Sequence, residues 1–160
     1  MVGQEVFAEA LLSGMAEVFE TMMFMSVEEC NEMYEVIDGE SLLSTITFKG
    51  AIEGCLGVSC NLNCAQTIAR NMLGSDSEEA IPEEEVVDAM GEVANMVLGA
   101  VKARLTDSVG DIQVSIPSVV SGRELINSLG DGSYEVSKMV HIDEDAANIT
   151  LLYRFTTQSH

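Results

Sequence analysis

The chain contains no tryptophan, and only three tyrosines and five phenylalanines stand in its 160 residues. Sugars stack on aromatic rings, so a carbohydrate site is disfavoured. A glycosidase would also need two carboxylates facing each other across a cleft, and no such pair stands out among 27 acids. Bases are scarce: seven Lys and Arg leave a formal charge of −20. Nucleic-acid binding needs cations to displace phosphate counterions, so this balance argues strongly against such a partner. It also disfavours anionic membrane surfaces. No apolar run reaches the roughly 18 residues that cross a bilayer. The opening MVGQEVFAEALL has no basic stretch and reads poorly as a signal peptide, so the expected location is the cytoplasm. The two histidines, His141 and His160, form no visible triad, and no serine has an evident base. Neither a glycine-rich phosphate loop nor a D-x-[DN]-x-[DN]-G calcium loop is found.

What is present fits a packed core. Apolar residues make up 47% of the chain, mean hydropathy is +0.21, and ten methionines offer flexible filling for gaps. The length suits one domain, residues 1–160, able to bury roughly 70% of its unfolded surface without staples. The acidic excess reads first as a solvated surface, and more sharply as a local acidic face for a basic or metal-bearing partner. Cys30, Cys55, Cys60 and Cys64 are expected as thiols. The CxxxC spacing of Cys60 and Cys64 is a weak metal or redox signal, and burial is the better reading.

Periodicity predicts a helix over residues 2–25, with Val6, Leu11, Leu12, Met15, Val18, Phe19 and Met22 at helical spacing. An acidic, turn-like segment follows over 26–40. LLSTITFKG (42–50) alternates as a strand does, AIEGCLGVSC (51–60) reads as its neighbour, and Gly50 supports a hairpin. A short helix over 64–73 is capped by Asn61 or Asn63 and ended by Gly74. After the acidic loop 75–80, Pro82 suits the first turn of a new helix, and Glu83, Glu84 and Glu85 complement its dipole. That helix runs to about Leu105. IQVSIP (112–117) is a short strand, SVVSG and NSLGDGS form a connection, and YEVSKMVHI and NITLLYRF make a last hairpin turned by DEDAA (143–147). The order predicts an α+β fold, an antiparallel β-sheet covered by two long helices.

Those two helices are related. With a shift of 75 residues, Met15 falls on Met90, Ala16 on Gly91, Glu17 on Glu92, Val18 on Val93, Glu20 on Asn95 and Ser13 on Asp88. The match predicts an internal duplication about a pseudo-twofold axis, although shared amphipathic grammar gives some similarity by itself. At about 100° per residue, Asp88, Glu92 and Asn95 share one face of the second helix. Val86, Met90, Val93, Val97, Val101 and Leu105 cluster on the other. Gly99 and then Ala103 prolong the polar stripe as a lane of small residues. A glycine inside a helix costs about 1 kcal/mol relative to alanine. Close approach by another molecule is one reason to tolerate it, and an incidental glycine on a solvated face is the other.

A carboxylate and an amide one turn apart suit a task in which the partner brings the electrophile. An amide oxygen can hold a water beside a phosphoryl group without adding charge, as GTPases do with a glutamine. A carboxylate there needs a cation, such as a lysine of the partner. Glu20 in the amide position would set an anion against phosphoryl oxygens, so one competent site and one remnant are expected. Restoring the amide by Glu20→Asn would then revive a second site, provided that face is exposed.

At these residues the chain resembles the CheC/CheX/FliY family of chemotaxis phosphatases. The family signature is Ser or Asp, three residues, Glu, two residues, Asn; here it reads Asp88, Glu92, Asn95 within DAMGEVANMVLGAVKARL. SIPSVVSG with Pro117, FKGAIEGCLGVS and IARNMLG resemble further family segments, so the likeness covers roughly residues 5–155. One intact signature resembles CheX more than CheC, because the first copy (Ser13, Glu17, Glu20) departs at the amide. The resemblance implies a CheC-like fold, a homodimer, and hydrolysis of the aspartyl phosphate on a CheY-like receiver. Asn95 would orient the water, Glu92 would pair with the receiver's lysine, and Asp88 and Gly99 would contact the partner. No cofactor is implied on this chain; Mg²⁺ would sit on the receiver. A non-catalytic binding or scaffold module of the same fold is the alternative.

Overall fold

The computed structural model describes residues 3–30, 40–75, 78–122 and 132–156. The predicted hairpin forms its centre. Strand β2 (Ser41–Gly50) and strand β3 (Ile52–Asn61) pair antiparallel, with Ser41 opposite Asn61 and Phe48 opposite Gly54. Alternation along β2 sends Leu42, Ile46 and Phe48 into the core and turns Thr45, Thr47 and Lys49 to the other face. The second hairpin joins β6 (Tyr134–Ile142) to β7 (Asp145–Phe155), and β7 lies against β3.

Two short strands were not anticipated. β1 (Val27–Glu29) pairs with β6, and β5 (Ser118–Ser121), in a stretch expected to be a connection, pairs with β2. The predicted strand at 112–117 shortens to β4 (Ile112–Val114), also on β2. β4 and β5 share β2 because Pro117, which has no N–H to donate, breaks the run between them. The seven strands form one antiparallel sheet in the order β1-β6-β7-β3-β2-β4, with β5 beside β4 on β2. From either edge the order is a short strand, then the first and second strands of a hairpin. Each half lends its short strand to the other half's hairpin, as the pseudo-twofold duplication requires.

Among the described residues, three helices cover one face. α1 (Gln4–Val18) continues as a π-helical turn, Phe19–Met23, ending at Phe24 with φ 56°. α2 (Leu62–Leu73) starts where the Asn61 side chain accepts the Cys64 amide at 2.8 Å, a cap worth about 1 kcal/mol. It ends at Gly74 in the left-handed conformation, φ 63°. α3 (Glu83–Val109) begins after Pro82 as expected and runs one turn past Leu105. α1 and α3 meet at Gly14, where a Cβ would lie 3.1 Å from Val101 Cγ2 and 3.4 Å from Ala100 Cβ. α1 is seated on the sheet by Phe7, fully buried and stacked on Tyr153 at 4.0 Å between ring centroids.

The second hairpin turn is tighter than DEDAA implied. Only Asp143 and Glu144 form it, because Ile142 and Asp145 already pair. Asp143 takes φ 53°, and its carboxylate accepts from the backbone and hydroxyl of Ser26. Residues 31–39 of the acidic 26–40 segment, most of NSLGDGS, part of the 75–80 loop and His160 lie outside the described residues.

Candidate functional site

The polar stripe of α3 stands where the wheel placed it. Asp88, Glu92, Asn95 and Gly99 are exposed, while Val86, Met90, Val93, Val97, Val101 and Leu105 are buried against sheet and helices. None of the Asp88, Glu92 or Asn95 side chains makes a hydrogen bond or ion pair with another described residue of the chain. A Cβ at Gly99 would meet nothing within 4 Å, so the lane beside Asn95 is open. The stripe lies on the exposed face of α3. A cleft of about 440 Å³ lies elsewhere, lined by residues including Lys49, Glu53, Gln113 and Arg154, and takes in none of the four stripe residues. Small molecules favour concave apolar sites. A flat stripe with an unpartnered carboxylate and amide fits a macromolecule that supplies the rest of the site.

The turn carrying Glu92 and Asn95 is held from behind. Ser44, fully buried on β2, donates its hydroxyl to the Met90 carbonyl at 2.6 Å. Beside it, Gly91 lies against Pro117 and Val119, which a Cβ there would approach to 3.6 and 3.8 Å. Neither contact was anticipated from sequence. The available signal was a polar letter in the apolar row Leu42, Ser44, Ile46, Phe48.

The first helix offers a contrast. Ser13, Glu17 and Glu20 are exposed, as the duplication predicts. Glu17, however, is taken: Arg104 of α3 places Nη1 3.1 Å from its Oε2. Glu20 falls in the π-helical turn, whereas Asn95 sits in regular helix. An i→i+5 winding advances fewer degrees per residue, so Glu20 drifts out of phase with Glu17. Changing one letter is therefore not sufficient. Glu20→Asn is expected to leave any turnover within about twofold of the parent, since positioning and not residue type alone sets such rates. Turnover raised tenfold or more by adding Glu20→Asn to an Asn95→Ala chain, which isolates the first helix, would contradict this.

Cys60 and Cys64, the pair at metal-like spacing, offer no competing chemistry. Cys60 and Cys64 are fully buried and free. The hydrogen bond between Cys64 and Cys60, then burial, then nearby Asp145 and Asp143, push the Cys64 thiol well above its ordinary range. Burial also raises Cys55 against a hydrogen bond from the Ile46 backbone. Thiols so held stay protonated and unreactive. Among the described residues no group of three His, Cys, Asp or Glu is placed to hold a metal ion. No described helix is long and apolar enough to cross a membrane.

Solved structures define the class. CheX from Vibrio vulnificus superposes with a TM-score of 0.78 at 24% identity, covering 96% of this chain and 100% of that one. CheX from the CheX–CheY–BeF3–Mg complex of Borrelia burgdorferi gives 0.69 at 18% identity, covering 92% and 97%. This is the CheX/CheC-like α+β fold. The family model described as chemotaxis phosphatase CheX matches residues 42–141, which include β2, β3, α2 and all of α3, and the chain belongs to that family. A curated relative, CheY-P phosphatase CheX of Thermotoga maritima, is 33% identical over 91 residues, 56% of this chain. The match spans 58% of that relative's length.

Proposed function

We propose that this chain hydrolyses the aspartyl phosphate of a CheY-like receiver domain, working from the exposed stripe of α3. The observation that carries the reading is the pairing of Glu92 and Asn95, one turn apart, exposed, and without hydrogen-bond or ion-pair partners among the described residues. Family membership supports it, as does the Thermotoga relative, a CheY-P phosphatase; the Borrelia CheX was solved in complex with CheY. In this reading the Asn95 side-chain oxygen accepts a hydrogen bond from the attacking water and aims its lone pair at phosphorus. The neutral amide does this without repelling the phosphoryl oxygens. Glu92 reaches a lysine of the receiver and sets the register of docking. Asp88 and the open lane at Gly99 meet the partner's surface. Mg²⁺ belongs to the receiver. The reading also carries a cytoplasmic homodimer, which a solution mass of twice 17.2 kDa would show.

The test is phosphate release from a CheY-like receiver charged by a small-molecule phosphodonor, with and without this chain. Faster release supports the reading. Unchanged release with retained binding to the phosphorylated receiver would make the chain a binding module instead. Within the same assay Glu92→Gln keeps shape and removes charge. It is expected to weaken receiver affinity about tenfold and flatten its salt dependence, as loss of a charge-assisted contact does. Affinity equal to the parent's at low salt would remove Glu92 from the docking contact.

A further inference from the structure

The buried face of α3 carries a feature that core packing does not account for. Leu42, Ser44, Ile46 and Phe48 share the helix-facing side of β2, and three of the four are ordinary core residues. Ser44 is the exception, 0% exposed, with its hydroxyl 2.6 Å from the Met90 carbonyl. A larger apolar side chain would fill such a site more simply, and a buried hydroxyl is costly unless bonded. The acceptor is not a free helix end. In a regular helix the Met90 carbonyl is already paired with the amide of Ala94. Ser44 therefore adds a second bond to the carbonyl that spans the turn from 90 to 94, the turn that carries Glu92 and leads into Asn95.

We propose that Ser44 is a positioning residue for the phosphatase site, fixing the rotation and height of the Glu92–Asn95 turn against the sheet. The inference rests on the phosphatase reading above. The Asn95 side chain has no hydrogen bond to another described residue to aim it, so its placement depends on the backbone beneath it. Packing of Val93 and Val97 fixes the helix laterally, but apolar contacts tolerate small rotations. A directional bond from the central hairpin does not. Gly91 against Pro117 and Val119 supports the same turn from β5. Ser44 touches neither water nor phosphate, and its effect reaches the reaction only through the helix.

Threonine and valine have the same shape and differ by the hydroxyl, so Ser44→Thr and Ser44→Val isolate the bond; Ser44→Ala serves if either misfolds. With the whole chain, kcat and affinity for the receiver carrying beryllofluoride are measured alongside amide hydrogen exchange along α3. Ser44→Thr is expected to keep kcat within about twofold, and Ser44→Val or Ser44→Ala to lower it about tenfold at unchanged affinity, as a small misplacement of an orienting group does. Exchange at Ala94 and Asn95 should quicken in the hydroxyl-free variants while Val101 and its neighbours stay protected. Equal kcat in the threonine and valine variants of an active parent overturns the positioning role alone. Loss of kcat and affinity together also overturns it, since that would be general destabilisation. A parent that leaves receiver phosphate untouched overturns the phosphatase reading and this role with it.

Discussion

Asn95→Ala is expected to lower the turnover of receiver phosphate by about 10²-fold, while affinity for a receiver carrying a stable phosphoryl mimic stays within about twofold. The asymmetry follows from where the proposed function places Asn95. In the docked ground state its amide holds one water that bulk solvent could supply. In the transition state the same contact aims the nucleophile and adds no charge beside developing phosphoryl charge. Removing it therefore lowers kcat and kcat/KM alike and spares docking. Folding offers no alternative explanation, because the side chain is exposed, makes no hydrogen bond to another described residue, and alanine is the better helix former. Asn95→Asp sharpens the test. It keeps size and hydrogen-bonding oxygen but places an anion where Glu20 stands on the first helix. It should be as inactive as alanine and should also weaken docking through repulsion. Single-turnover phosphate release and binding titrations separate the two. Parallel loss of binding and turnover in Asn95→Ala would make Asn95 a docking contact, and undiminished turnover would end its role in the reaction.

Much of this site was legible because its determinants are local. The α3 stripe follows from helical periodicity, and a helix long enough to hold three polar residues in phase leaves little room for another arrangement. The Asn61 cap and Gly74 stop of α2 are equally local, each residue type having one conformation that suits it best. What escaped depended on partners distant in sequence. SVVS became β5 because β2 extends far enough past β4 to offer unpaired backbone groups, a property of β2 rather than of SVVS. DEDAA held only a two-residue turn because Asp143 tolerates a left-handed backbone and is tied to Ser26, 117 residues away. The π-helical turn leaves no periodic trace: Met22 and Phe19 fit an α-helical pattern well enough to continue it. Arg104 on Glu17 and Ser44 on Met90 link residues 87 and 46 positions apart, and nothing in either neighbourhood announces the other. The sequence comparison of the two helices thus identified the altered amide and the Ser13–Asp88 difference, but the Arg104 contact on Glu17 and the π-helical turn lie in the fold.

Gly54→Ala is expected to be the most damaging small substitution in the sheet. Gly54 lies in β3 directly opposite Tyr153 of β7, the strand pair at the pseudo-twofold centre. A Cβ there would collide with the Leu152 carbonyl oxygen and lie 2.8 Å from its carbon and 2.9 Å from Tyr153 Cα. All three atoms are backbone, so no rotamer change relieves the contact and the two strands must part. Overpacking typically costs 1–3 kcal/mol, and an obstruction that only backbone movement relieves belongs at the top of that range, about 3 kcal/mol. For a chain of this size that corresponds to a fall in Tm of roughly 6–12 °C. The damage should travel. Tyr153 stacks between Phe7 of α1 and Tyr134 of β6, at 4.0 and 5.3 Å between centroids, so displaced β7 unseats the α1 end of the core. α1 in turn braces α3 at Gly14. Gly99→Ala supplies the control, since nothing obstructs a Cβ there and alanine should raise helix stability by up to about 1 kcal/mol. Thermal melts of both variants should therefore move in opposite directions. A Gly54→Ala chain as stable as the parent would show that β3 and β7 can separate locally without loosening the aromatic stack, and that the two halves are less tightly joined at their centre than their pairing implies.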